Sequence, residues 1–506
     1  MFNIIKGVAK HSIIYGIGDV LGKGISFFMI PLYTYYLSTS DYGILELIDL
    51  TSYIIGMFLG MGVTHSVIRY YFEYDDEEKK KQVISVAMIT IWVVSLSVLV
   101  GLFFLSKQIS ALVFNSTDYY RFFNIIFITT VIQLSNEIPR AFIRIEQKSV
   151  LYVSVNFAKL LLSLFLNIIF IVYLKMGIMG ILLSSLIATV TANIFFMIYI
   201  FRRVRLSYSF KLLSAMLKYG LPIMWSWFGM FVLHFGDRFI LQRLTSLSDV
   251  GIYSLAYKFG FVTNLLVLSP FLLMWAPKRF DLIKEPNAKN IYAVIFTYFM
   301  FIEIFVSLGI AVLIKDVIKL VADPKFHGAY QYVSTILLGY IFYGAFQYIQ
   351  FGIHLEKKTK YLAYATLIGA GLNIGANYLL ISSIHIWGAA LTTAISFLFL
   401  MIFIYFPSQK LYYIRYEFGR ITKMSLIALV LYIIASFFNP SHVAVSLAVK
   451  LSIAVSFPFV LYFIGFYTSQ ELAKLAEIRS QIYCLLTEKV GSRMIRTLGL
   501  FRRNKP

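Results

Sequence analysis

The chain has 506 residues, of which 59% are hydrophobic and only 14% charged. So much apolar surface exceeds what a soluble core can hide, which places the chain in a bilayer and excludes an ordinary soluble domain. The net charge of +21 raises nucleic-acid binding as a reading, which the distribution of the basic residues then excludes.

A helical span needs about 20 mostly apolar residues, and runs of that length bounded by charge, Pro, Gly or Asn predict about fourteen spans. In chain order they cover 12–37, 43–68, 83–105, 121–139, 150–174, 178–201, 216–243, 250–275, 291–314, 329–354, 361–383, 385–406, 420–438 and 441–467. The plentiful Tyr and Phe suit helices whose ends lie in interfacial aromatic belts. The first run is too long for a signal-peptide core and is followed by another, so the N-terminus is expected to be retained. Beyond residue 470, Leu472, Leu475, Ile478, Ile482 and Leu485 recur at helical spacing among charged residues. This pattern predicts an amphipathic helix on membrane lipids of the anionic inner leaflet. The lone Cys484 excludes an internal disulfide and a multi-cysteine metal cluster.

The basic residues alternate by loop. With a cytoplasmic N-terminus, thirty-two Lys and Arg fall on the inner side and seven on the outer, among them Lys107, Lys175 and Lys325. That asymmetry predicts an even number of spans with both termini in the cytoplasm, and it accounts for the basic balance without nucleic acid. The acidic-then-basic stretch "EYDDEEKKK" (73–81) reads as a solvated cytoplasmic loop rather than a metal site.

The chain is written twice. Ser40-Asp41-Tyr42-Gly43-Ile44 nearly repeats as Ser248-Asp249-Val250-Gly251-Ile252, and Gly180 returns as Gly388, both at an offset of 208. Between these anchors, "IRIEQKS" (143–149) aligns with "IHLEKKT" (353–359), and Asn167 with Asn377, at an offset of 210, so a two-residue slip is expected. The repeat predicts an all-α polytopic membrane protein of two six-helix lobes related by a pseudo-two-fold axis, plus two extra helices. The expected divisions are an N-terminal lobe at 1–205, a C-terminal lobe at 206–410, the extra helices at 411–468 and a basic tail at 469–506. Two such bundles facing one another would enclose a cavity and transport by rocking around it.

Six basic residues remain inside the spans: Lys23, Arg69, Lys159, Arg238, Lys258 and Lys450. Arg69 and Lys450 lie where long side chains can snorkel to the interface. The acidic counterparts are Asp19, Glu46, Asp49, Glu137, Asp237 and Glu303. Asp19 and Lys23 share one helix face at i, i+4, and Lys23 lies about 16 Å from the inner boundary of its span. An ion at such depth costs at least about 2.5 kcal/mol, which is met by a water-filled lumen or by pairing. The central-cavity candidates are therefore Lys23, Arg238, Lys258, Asp19 and Asp237, with Glu46, Asp49 and Glu303 as candidates for the cavity or for ion coupling. The alternative for Asp237 and Arg238 is that they pair with each other and fix helix packing. Cations in a lumen suit an anionic ligand, and Arg suits phosphate oxygens through its fork of donors. The carboxylates could instead carry a coupling proton or sodium ion. Asn156, Asn167, Asn373 and Asn377 read as interhelical hydrogen-bonding residues.

Catalytic and cofactor motifs are missing. "GIGDVLGKG" (16–24) lacks the strand and the Ser or Thr that a phosphate loop needs, and no HExxH occurs among the histidines. No metal or organic cofactor is expected, and with no ATPase motif the driving force would be H+, Na+ or the substrate's own gradient.

Three stretches carry a resemblance: "LGKGISFFMIPLYTYYLSTSDYGILELIDL" (21–50), "DRFILQRLTSLSDVGIYSLAYKFG" (237–260) and "IWGAALTTAISF" (386–397). Together they resemble the Wzx-type polysaccharide and oligosaccharide flippases, of the superfamily that also holds the lipid II flippase and multidrug extruders. The resemblance implies alternating access for an undecaprenyl-diphosphate-linked oligosaccharide, carried from the inner to the outer leaflet of a bacterial cytoplasmic membrane for surface polysaccharide assembly. It implies cations at Lys23, Arg238 and Lys258 meeting the diphosphate, a groove between helices 13 and 14 for the lipid tail, and the polysaccharide polymerase machinery as partner. A lipid II or drug exporter of the same fold is the nearer alternative. A membrane glycan polymerase or glycosyltransferase is the more distant one, and the short outer loops leave such an enzyme little room.

Overall fold

A computed structural model describes residues 27, 29–438, 440–469 and 471–473. Every regular element among them is helical. In chain order the first repeat holds α1 (Thr39–Gly60), α2 (Val63–Tyr71), α3 (Glu77–Phe114), α4 (Tyr120–Ile145), α5 (Ser149–Asn167) and α6 (Gly177–Phe201). The second holds α7 (Phe210–Phe235), α8 (Asp237–Leu244), α9 (Leu247–Gly260), α10 (Ser269–Asp281), α11 (Ala288–Val321), α12 (Tyr330–Ile349), α13 (Phe351–Leu355), α14 (Lys360–Ile384) and α15 (Ile386–Leu411), followed by α16 (Phe418–Phe437) and α17 (Val443–Phe463). Eleven of the described helical stretches are long and apolar enough to cross a membrane. Of the other three predicted spans, 12–37 lies mostly outside the described residues, and two are helical without belonging to that set: α4, which carries Glu137, Arg140 and Arg144, and the segment 216–243.

That last segment departs from expectation. Instead of one span it forms two helices, α7 and α8, parted at Gly236 directly before Asp237. The stretch 73–81 also differs. Its acidic end starts α3: the Asp76 side chain accepts from the Glu78 backbone N–H, and Glu77 and Glu78 occupy the first turn. Acids at a helix N-terminus offset its unpaired N–H groups and the positive end of its dipole, which a reading of bulk polarity overlooks.

The two repeats pack alike. In the first, α4 lies against α1, α3 and α6; in the second, α12 lies against α9, α11 and α15. Gly180 lies so close to the end of its preceding helix that an added Cβ would come within 2.9 Å of Phe170. Gly388 does the same at 2.4 Å from the backbone of Leu380. The glycine pair is 208 residues apart and their partners 210, so the expected two-residue slip sits between partner and glycine. There the first repeat has an added π-helical segment, Ile168–Tyr173, which takes up the extra residues. Helix α7 ties the repeats together. Its N-terminal half packs on the first repeat, where the Ser66 hydroxyl donates to the Met216 carbonyl at 2.7 Å, and its C-terminal half packs on α14.

The described residues up to Tyr416 form one compact unit and those from Glu417 onward another. Within the second unit α16 packs on α17, and Arg420 reaches both Glu417 and Glu471 at 2.9 Å. Lys450 does not snorkel: it is buried, because it falls on the stripe of α17 spelled by Ser446, Ala454, Phe457 and Leu461.

Candidate functional site

Three features of the first unit bear on function: a seal between the repeats, an ionic cluster beneath it, and a cavity. The seal is where the repeated sequence meets itself. Ser38 caps α1 by accepting from the Asp41 N–H, and Ser246 caps α9 by accepting from the Asp249 N–H. The two capped ends lie together. A Cβ on Gly43 would fall 2.1 Å from the Leu247 carbonyl oxygen, and one on Gly251 would fall 2.0 Å from that of Thr39. Each glycine thus meets the residue four positions before the other, so the contact is reciprocal, as a pseudo-two-fold axis passing between them requires. The hydroxyls of Thr39 and Ser248 bond across it at 2.8 Å. Glycine is required here for close approach, since both backbone conformations are ordinary helix.

Two turns beyond Gly251, Lys258 of α9 faces α1. Its ammonium donates to the Tyr42 hydroxyl at 2.9 Å and lies 3.8 Å from the Glu46 carboxylate. The lysine side chain keeps 42% of its surface exposed. Asp49 follows Glu46 on the same face of α1 at i, i+3 and is exposed to the space between the repeats.

That space is a cavity of about 590 Å³ walled by α1, α2, α4, α6 and α7. Its size suits a small-molecule site, for which about 300–1,000 Å³ is usual. Among the described residues, Asp49 is the one cavity candidate expected from the sequence that lines it. The others are Tyr53, His65, Gln133, Glu137, Arg144 and Trp227, with Ser and Thr hydroxyls between them. Among the described residues the lining holds two carboxylates against one guanidinium, and neither Arg238 nor Lys258 is part of it.

Arg238 and Asp237 open α8 and are each about 1% exposed. The guanidinium donates to Asp237 Oδ1 at 2.7 Å and to the His234 carbonyl at 2.5 Å. It also lies 3.9 Å from the Tyr257 ring centre and 5.0 Å from that of Tyr253. The other Asp237 oxygen accepts from the hydroxyls of Tyr253 and Thr393. A pair so enclosed answers the depth penalty by pairing rather than by water. Glu303 is buried in α11 beside Gly344, away from the cavity, and neither of its oxygens has a hydrogen-bond partner. Asp19 and Lys23 lie outside the described residues, as do most of the predicted amphipathic tail and Cys484. Asn373 and Asn377 link α14 internally and to Ser396 of α15, while Asn167 donates to the Tyr33 hydroxyl at 3.1 Å. Among the described residues no group of His, Cys, Asp and Glu could hold a metal ion.

The cavity aromatics carried no signal in the sequence. Tyr53, His65 and Trp227 are single residues on three helices with no shared spacing, and only folding brings them together.

Fold and site together define a two-lobed, multi-pass helical membrane protein. Residues 8–278 match the polysaccharide biosynthesis protein family, and the chain belongs to that family. Its structure is similar to that of the lipid II flippase MurJ in an inward closed conformation, with a TM-score of 0.73 and 15% identity over 90% of this chain and 100% of that one. It is also similar to an inward-facing multidrug resistance MATE family transporter of the MOP superfamily, with a TM-score of 0.63 and 12% identity over 79% and 95% of the two chains. A MATE protein in the straight conformation follows, with a TM-score of 0.55 and 15% identity over 83% and 97%. No curated protein sequence matches the chain. Identities this low carry the fold, and the substrate has to be argued from the site.

Proposed function

We propose that this protein is a flippase that moves an undecaprenyl-diphosphate-linked oligosaccharide from the inner to the outer leaflet of a bacterial cytoplasmic membrane. The observation that carries the reading is the reciprocal seal at Gly43 and Gly251, which joins the two repeats at one end of the cavity. The excess of Lys and Arg on alternate loops supports a reading with both termini in the cytoplasm and the seal on the outer side. The N-terminal lobe (1–205) then rocks against the C-terminal lobe (206–410), parting the glycines and the Lys258–Glu46 contact to open the cavity outward. Helices in 411–468 give the lipid tail a groove, and the polymerase machinery receives the glycan outside.

Lys258 sits half-exposed where the repeats meet, so it can exchange Glu46 for a diphosphate oxygen at little cost. Lys23 is assigned to the same task by its depth in the first span. Asp49 and Glu46 are the groups placed to take up a coupling proton or sodium ion, because the same motion exposes or covers them.

The test is flipping of a fluorescent undecaprenyl-diphosphate oligosaccharide in proteoliposomes. In a Cys484→Ser background, Thr39→Cys with Ser248→Cys should stop flipping on oxidation and restore it on reduction. Continued flipping with the bridge formed would rule out outward opening at the seal, and an inactive wild type under proton and sodium gradients would redirect the search to another substrate.

A further inference from the structure

The stretch that joins the two repeats has no acid to balance it. Between Glu146 and Asp237 the sequence holds no Asp or Glu, while Arg202, Arg203, Arg205, Lys211 and Lys218 cluster there at 202–218. The linker is held in one place. Its Ser207 N–H donates to the Ser85 hydroxyl oxygen of α3, and the same hydroxyl donates to the Ser207 carbonyl, both at 2.7 Å. Val204 is buried beneath it, and Ser209 caps α7 by accepting from the Leu212 N–H. So pinned, the linker turns Arg202, Arg205 and Lys211 outward, all exposed, and none of them has an ion pair among the described residues. The acids on the helices that hold the linker are already engaged: Glu146 with Lys148 at 3.0 Å, Glu77 with Lys80 at 2.9 Å and Glu78 with Lys81 at 3.7 Å. Arg203 is occupied too, with its guanidinium 3.9 Å from the centre of the Tyr199 ring.

Apolar side chains stand among these cations. Phe210 is 79% exposed and Leu206 53%. Along α7, Lys211, Lys218, Leu221 and Trp225 fall on one helix face, and all four are exposed. Cations lie toward the linker and apolar side chains deeper in the span. A loop facing water gains nothing from an uncovered Phe210, and nucleic acid would meet the cations but not Leu206. A bilayer interface satisfies both, since apolar side chains enter the acyl boundary while Lys and Arg reach the headgroups.

We infer that the linker 202–211 and the outward face of α7 form a docking surface for an anionic phospholipid, whose phosphate meets Arg202, Arg205 and Lys211 and whose acyl chain lies along Leu221 and Trp225. Cations without acidic partners favour an anionic headgroup over a zwitterionic one, in which an ammonium offsets the phosphate. The fork of donors on Arg also matches phosphate oxygens. The linker runs directly into α7, which packs on both repeats, so a lipid held there anchors the one helix that the lobes share. The surface is independent of the identity of the cargo and goes beyond the flippase reading.

The experiment uses the full-length protein in a neutral detergent, with phosphatidylglycerol and phosphatidylcholine of the same chains competing for it and the retained lipid counted by native mass spectrometry. Wild type should prefer phosphatidylglycerol at least about tenfold. The triple variant Arg202→Gln, Arg205→Gln, Lys211→Gln should erase that preference, and Arg205→Gln alone should cut it roughly fivefold, the worth of one charge at an anionic surface. A control triple variant, Lys79→Gln, Lys80→Gln, Lys81→Gln, lowers the net charge equally in the 73–81 stretch and should leave the preference within about twofold of wild type. Equal affinity of wild type for the two lipids would overturn the docking surface. The same loss in both triple variants would also overturn it, by assigning the preference to net charge. Glycerophosphoglycerol, the headgroup without its chains, should compete poorly; competition as strong as that of the lipid would replace the phospholipid with a soluble phosphate. Should the linker triple variant not elute as a folded protein, Arg205→Gln and glycerophosphoglycerol decide the matter. None of these readouts involves flipping, so a failure here leaves the flippase reading standing, and a failure of flipping leaves the docking surface standing.

Discussion

Two places in this protein hold opposite charges at membrane depth, and they are built differently. Asp237 and Arg238 lie within one repeat, wholly enclosed, each with further hydroxyl, carbonyl or ring partners. Lys258 and Glu46 lie across the two repeats, looser at 3.8 Å, with the lysine 42% exposed. On the proposed rocking of the lobes, the difference separates what stays from what moves. A contact that must persist through every state can be saturated with buried partners, because nothing has to be rehydrated when the lobes rock. One that breaks on each cycle has to be weak and half-wet, or the barrier to opening would rise by its full desolvation cost.

The sharpest way to break the comparison is to remove one member of the enclosed pair. Arg238→Ala leaves Asp237 ionised and buried without its counter-charge, a change that costs about 3–5 kcal/mol in such settings. The expected result is a large fall in the melting temperature of the purified protein or loss of folded material in the membrane. Normal folding with lost flipping would instead make Arg238 a substrate contact.

A smaller stability effect and a large functional one are expected at the seal. In Gly43→Val the new Cβ would start 2.1 Å from the Leu247 carbonyl oxygen, where ordinary contact begins near 3.4 Å. The two helix ends must part by more than an ångström. Flipping in proteoliposomes should fall at least about tenfold, a change of about 1.4 kcal/mol in the working equilibrium, and labelling of a cysteine at Thr39 should become faster. Slower labelling would show that the seal had closed more tightly.

Lys258→Ala is the counterpart to Arg238→Ala. A half-exposed ion pair is worth about 0–1 kcal/mol, so the melting temperature should barely move. Flipping should nonetheless drop, since the ammonium that would meet the diphosphate is gone. A stability loss comparable to that of Arg238→Ala would erase the distinction between the two places.

What could be read before folding divides along the same line. Periodic and repeated features were legible: the apolar runs, the alternation of Lys and Arg, and the twin Ser-Asp-x-Gly-Ile motifs. Each is a property of a continuous stretch, as is the break in polarity that marks Asp237 and Arg238 as unusual. Their partners were not legible. Tyr253, Tyr257 and Thr393 come from α9 and α15 and give no local sign that they enclose a charge. The aromatic face of the cavity failed for the same reason, because Tyr53, His65 and Trp227 are up to 174 positions apart and an isolated aromatic in a membrane chain resembles every other. The acidic start of α3 is hidden differently: its composition marks a polar stretch, and only the capping by Asp76 shows that a helix begins there.

The smallest expected effect tests whether the seal is one contact or several. The Thr39 and Ser248 hydroxyls share a single hydrogen bond of 2.8 Å, and one such bond is worth about 0.5–1.5 kcal/mol net. Thr39→Ala should therefore change flipping by no more than roughly tenfold, and Ser248→Ala by a similar amount in the same direction. Because both substitutions delete the same bond, the double variant should match either single one rather than their product. If the effects multiply instead, each hydroxyl has a separate partner in some state of the cycle, and the reciprocal contact is only the resting half of the gate. Non-additive small losses beside the large loss at Gly43 would assign closure to backbone approach and leave the hydroxyls to set its register.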